Sequence, residues 1–140
     1  MGSVYAEITL KNVADVVSAN KGFAKEHEIR QSTIMALVDT GAGTLVINEE
    51  LCQKLGLDVL GTRQATLANN SKTTVKTASP VEVHWKNRSM TCQPLVMEGS
   101  GENLLGSIPL EDMDLMVDPV RQELTGAHGE EIVSMLKLAG

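Results

Sequence analysis

An apolar run with no polar face, Ile34-Met35-Ala36-Leu37-Val38, ends directly on an acid, Asp39. Four small residues follow, Thr40-Gly41-Ala42-Gly43, and a second apolar run, Leu45-Val46-Ile47, comes soon after. A segment without a polar face reads as a strand covered on both sides. The carboxylate at its end has three readings: a turn former or cap, part of a phosphate-binding loop, or half of a catalytic site. Position alone favours the first. The joint pattern of strand, acid, small-residue turn and further strand points past it.

The surrounding chain reads as mostly strands. Val4, Ala6, Ile8 and Leu10 alternate with Tyr5, Glu7, Thr9 and Lys11, the period of a half-buried strand. Residues 12–28 read as a loop or short helix leading into the strand from about Ile29 to Val38. Beyond the acid, Asn48 is placed as an N-cap, Glu49 and Glu50 put negative charge in a first turn, Leu51 and Leu55 share a face, and Gly56 terminates. Residues 63–79 read as a hairpin with a polar tip, Asn69-Asn70-Ser71-Lys72. A second hairpin runs through Val81, Val83 and Trp85, turns at Lys86-Asn87-Arg88-Ser89 and returns through residues 90–97, where Pro94 suggests an edge or a bulge. Leu104-Leu105-Gly106 precedes a short helix with Ser107 as its cap and Pro109 in its first turn. Residues 114–118 read as a closing strand, and 132–138 fit either a strand or a helix.

At 140 residues, 42% hydrophobic and 21% charged, the chain suits a single domain spanning 1–140 with its own core. Tyr5, Phe23 and Trp85 are its three aromatic residues, so that core is aliphatic, with the seven methionines as flexible filling. A net charge of −6 and no basic stripe argue against nucleic acid as a partner. No run is long enough to span a bilayer, which gives no membrane partner and a cytoplasmic location by default. Cys52 and Cys92 do not make a disulfide framework and are expected reduced and buried. His27, His84 and His128 are too dispersed for a metal site and are expected exposed.

The two stretches Leu37-Val38-Asp39-Thr40-Gly41-Ala42-Gly43 and Asn103-Leu104-Leu105-Gly106, with a hairpin between them, resemble the retropepsin-type aspartic proteases, and in particular bacterial single-domain ones. The match covers about residues 29–120, leaving 1–28 and 121–140 as terminal strands or extensions. The resemblance implies a mainly β fold, a retropepsin-like closed barrel or sandwich with one or two short helices, one domain per chain and homodimeric. It implies Asp39 as the catalytic carboxylate, Thr40 as a buried hydroxyl bonding across the two-fold axis, and Gly41 as the backbone that approaches the carboxylate. Ala42 stands where pepsin-like enzymes commonly carry a hydroxyl, which leads us to expect activity reaching toward neutral pH. Asn69, Asn70, Ser71 and Lys72 match the substrate-covering flap, without its usual glycine. Leu104, Leu105 and Gly106 match the segment packed beside the active-site loop.

The chemistry accounts for these residue types. Hydrolysing a peptide without metal or covalent intermediate takes one carboxylate to deprotonate water and one protonated carboxyl to donate to the carbonyl. Two adjacent carboxylates share one proton because both cannot ionise. One Asp-Thr-Gly per chain then implies a symmetric dimer; Asp112, Asp114 and Asp118 lack the small-residue turn. The expected activity is that of an aspartic endopeptidase with a peptide or protein substrate, and no cofactor or metal. The alternative is a catalytically inactive dimer of the same fold that binds extended peptides. Asp39 to Thr44 also resembles the first phosphate hairpin of sugar-kinase and actin-like ATPases, but that fold needs a second loop and a second domain.

Overall fold

The alternation of the first strand fixes how the sheet is built. The computed structural model describes residues 2–134 and 136. In β1 (Tyr5–Asn12) Ala6, Ile8, Leu10 and Asn12 point inward and are buried. It pairs antiparallel with β2 (Gln31–Val38), Ala6 opposite Ala36 and Leu10 opposite Ser32. Between them lie α1 (Val13–Asn20) and a 3-10 turn at Glu26–Glu28. Asn12 caps α1 by accepting the Asp15 N–H at 3.2 Å, and its Nδ2 donates to the Leu55 carbonyl at 2.9 Å.

Then follow β3 (Leu45–Asn48), α2 (Glu49–Lys54), β4 (Val59–Thr66), β5 (Lys72–Ala78), β6 (Val81–Trp85), β7 (Arg88–Cys92), β8 (Leu95–Met97), β9 (Leu104–Leu105), α3 (Ser107–Asp112), β10 (Leu115–Asp118) and β11 (Glu123–Gly126). Among the described residues nine strands form one sheet in the order β4-β5-β8-β3-β9-β2-β1-β6-β7, and β10 and β11 form a separate ribbon. The expected closed barrel is therefore corrected to a curled half-barrel, open because β4 and β7 are ends of the sheet and do not meet. Among the described residues the expected one or two short helices are three, with the 3-10 turn in addition. The extra helix is α1, which forms where Asn12 supplies a buried cap.

Ile8, Leu10, Leu45, Ile47, Leu55, Val81, Val83, Leu105 and Met113 are among the fully enclosed side chains of an aliphatic core. Helix α2 starts at Asn48, whose side chain accepts the Leu51 N–H at 2.8 Å, and stops at Gly56 with φ +63°. That left-handed conformation costs glycine little.

Several local expectations change. β2 is covered on one face only, with Met35 56% exposed, because its neighbours put their core side chains on the other face. Pro94 separates two strands instead of interrupting one: β7 ends the sheet beside β6, whereas β8 pairs parallel with β3 and antiparallel with β5. Gly106, not Ser107, is the N-cap residue of α3. Among the described residues, 115–118 pair with β11 alone and do not close the main sheet. Met35, Met97 and Met116 are exposed, so the methionines are not all core filling. In the 132–138 stretch, residues 132–134 and 136 carry no regular element; the others lie outside the described residues.

Candidate active site

Parallel pairing of β2 with β9 sets the position of the acid. Leu37 N–H donates to the Asn103 carbonyl at 2.9 Å and Asp39 N–H to the Leu105 carbonyl at 3.0 Å, so the ladder runs one residue beyond the strand. Alternation then places the Asp39 side chain on the face of Met35 and Leu37, the face turned away from the core. β9 also pairs with β3, so the chain on either side of the Asp39 turn is held by one short inserted strand.

The turn itself is fixed from two sides. Ala42 N–H donates to the Asp39 carbonyl at 3.0 Å, and Gly41 N–H donates to Asp39 Oδ1, also at 3.0 Å. Gly41 has no side chain to hinder this approach; a Cβ there would stand 3.2 Å from Oδ1. From the other side, Ser107 N–H donates to the Ala42 carbonyl at 3.0 Å and Ile108 N–H to the Gly43 carbonyl at 3.3 Å. Gly106 is the close crossing point. A Cβ there would overlap the carbonyl oxygens of Ala42 and Thr44 and stand 2.7 Å from the Thr44 nitrogen.

Asp39 is partly buried, and among the described residues its side chain takes one hydrogen bond, from Gly41. Its second oxygen is therefore free to act on a molecule on that face. Thr40 is exposed in the single chain. The structure thus brings together Asp39, Thr40, Gly41 and Ala42 with Leu104, Leu105 and Gly106.

It does not bring the hairpin tip to them within one chain by any hydrogen bond among the described residues. Asn69, Asn70, Ser71 and Lys72 sit at the end of the β4–β5 hairpin, and β8, β3 and β9 lie between β5 and β2 in the sheet. The tip is ordered by its own polar groups. Asn69 Oδ1 accepts the Ser71 N–H at 3.0 Å, and Asn70 takes φ +65°, the left-handed conformation that asparagine tolerates without a glycine.

Sequence reasoning missed two arrangements. Asn103 Oδ1 accepts the Asn48 N–H at 2.8 Å while the Asn103 backbone pairs with β2, so this residue ties both sides of the loop to β9. The second lies in the segment after α3. Buried Arg88 donates to the carbonyls of Met113 at 3.0 Å and Gly129 at 2.5 Å. Asp114 accepts from the His128 ring at 2.7 Å and from the Val133 N–H at 3.0 Å. These bonds to its charged form hold the Asp114 carboxyl below the usual carboxylate range, His128 contributing most. His84 and His128 are therefore paired with Glu82 and Asp114. A lone polar letter in sequence gives no sign of a partner 14 residues away. Among the described residues there is no cluster of three metal-ligating side chains, and no helix is long and apolar enough to cross a membrane. Both cysteines are free, Cys52 buried and Cys92 partly so, with burial pushing the Cys92 thiol up to about 11.

Comparison with known proteins agrees with this geometry. Among solved structures, the retroviral protease-like domain of Ddi1 from Leishmania major aligns over 98% of this chain and 96% of its own, with a TM-score of 0.57 and 16% identity. At that identity the likeness shows the fold. No curated protein matches. The sequence profile of the gag-polyprotein putative aspartyl protease family matches residues 26–112, which run from before β2 to the end of α3. With well over half its length matched, including the Asp39 loop and the β9–Gly106 segment that clamps it, the chain belongs to this retropepsin-like aspartyl protease family.

Proposed function

We propose that two copies of this chain associate about a two-fold axis to form an aspartic endopeptidase. The observation that carries the reading is the Asp39 carboxylate: rigidly held by its own loop, turned away from the core, and left with a free oxygen. In the dimer the two Asp39 side chains share one proton. The ionised one takes a proton from water as it attacks the peptide carbonyl, and the protonated one donates to the carbonyl oxygen. Thr40 tethers the two loops, Gly41 and Ala42 leave room for the second copy, and the Asn69–Lys72 tip covers the bound peptide. Leu104 and Leu37 supply apolar floor for its side chains. The reaction consumes water and a peptide, and the partners it needs are a second copy and a substrate.

The test is to incubate wild type and Asp39→Asn with an unfolded protein over a range of pH. Cleavage by wild type, with activity extending toward neutral pH, and its loss in Asp39→Asn are expected. Equal cleavage by both would overturn the assignment. Peptide binding by both, with cleavage by neither, would favour a pure binding dimer.

A further inference from the structure

The exposed face that carries Asp39 also carries an acid that the reaction does not use. Met35 and Leu37 of β2 share that face with Asp39, one residue past the strand's end, and in β1 the residues opposite Leu37 and Met35, Tyr5 and Glu7, turn the same way. Tyr5 lies directly across from Leu37, which in turn pairs with Leu104 of β9. The Tyr5 hydroxyl donates to Oε1 of Glu102, two residues before Leu104. Leaving Asp39 along β2, a bound side chain would therefore meet an aliphatic floor, Leu37 and Leu104. It would next meet a carboxylate whose second oxygen takes no hydrogen bond among the described residues. Asp39 stands two residue steps, about 7 Å, beyond Leu37.

Given the proteolytic reading above, on which this rests, we infer that Glu102, positioned by Tyr5, selects substrates with a lysine or arginine side chain close to the scissile bond. An aliphatic stem with a cationic end matches this sequence of surfaces, since such side chains bury their methylenes and keep the charged head at a polar rim. Glu7, next along the same face, reinforces the negative charge, which the tyrosine hydroxyl leaves in place. The carboxylate in turn raises the Tyr5 hydroxyl above its usual pKa, chiefly through their hydrogen bond, so Tyr5 stays a donor throughout the working range.

The experiment uses quenched peptides with one apolar core that differ at a single residue beside the cleaved bond: arginine, norleucine or glutamate. The variable residue is placed on each side of the bond in turn. Wild type is expected to favour arginine over norleucine by about tenfold in kcat/KM, the size of one hydrogen-bonded charge pair, with the ratio shrinking at high salt. Glu102→Gln should bring that ratio close to one, and Glu102→Arg should turn the preference toward glutamate. A purely structural role for Glu102 would leave the ratio unchanged in both variants, and that result would overturn the inference. If wild type cuts none of the peptides, the proteolytic reading fails by itself. Calorimetric affinities of the same peptides then decide: an arginine preference lost in Glu102→Gln supports the inference, and equal affinities or no binding overturn it.

Discussion

At the scale of single residues, the site depends on atoms that are missing as much as on those present. Gly106 has an ordinary extended φ of −89°, so backbone conformation does not demand glycine there. What demands it is the backbone of Ala42 and Thr44, which fills the space of a Cβ. Rigid backbone cannot yield as a flexible side chain would, so Gly106→Ala is expected to cost about 2–4 kcal/mol in urea denaturation and to displace the Asp39 loop. Gly43→Ala, with open space around its Cβ, is the control and should cost far less. Asp114 offers a residue-scale test of a different kind. Its folded-state pKa lies below the ordinary 3.8, so its stabilising contribution is complete above that value and is lost as pH falls through the depressed one. Wild type should therefore lose more stability between pH 6 and pH 2 than Asp114→Asn, measured as urea midpoints; parallel losses would contradict the pairing with His128 and Val133.

At the scale of elements, most of what positions the site could be read from patterns of short range. The alternation in β1, the cap at Asn48, the stop at Gly56 and the polar hairpin tip each rest on residues a few positions apart. Asn12 shows where that reading ends. Its side chain caps α1 locally but also reaches Leu55, 43 residues away, and it is nearly fully buried. Asn12→Ala is expected to cost about 2–3 kcal/mol, a lost cap combined with an unsatisfied buried carbonyl, whereas Asn48→Ala at the part-buried start of α2 should cost about 1 kcal/mol. Similar losses for the two would argue that the Leu55 bond contributes nothing. The same limit explains the misplaced boundary at α3. Ser107 is a good capping residue in isolation, yet the clamp between residues 42–44 and 106–108 starts the helix one residue earlier. The one-sided covering of β2 was likewise illegible, because which face a neighbour buries is decided by pairing across the sheet. The Arg88–Asp114–His128 arrangement depends on contacts between segments 14 to 41 residues apart and left no short-range trace.

At the scale of the whole molecule, an open half-barrel with its acid on the outward face explains why one chain is half of a site. Asp39 lies on the sheet surface among Met35 (56% exposed), Leu37 and Tyr5 (43% exposed), which is where a second copy or a substrate can reach it. The central claim is that two such loops make one catalytic centre, and mixing subunits tests it most directly. Wild type and Asp39→Asn are exchanged to equilibrium at a constant total concentration, and cleavage is measured as the wild-type fraction falls. If one Asp39 from each chain is needed, activity follows the square of that fraction, to about one quarter at an equal mixture. If each chain works alone, activity falls in direct proportion, to about one half, and that line would contradict the account.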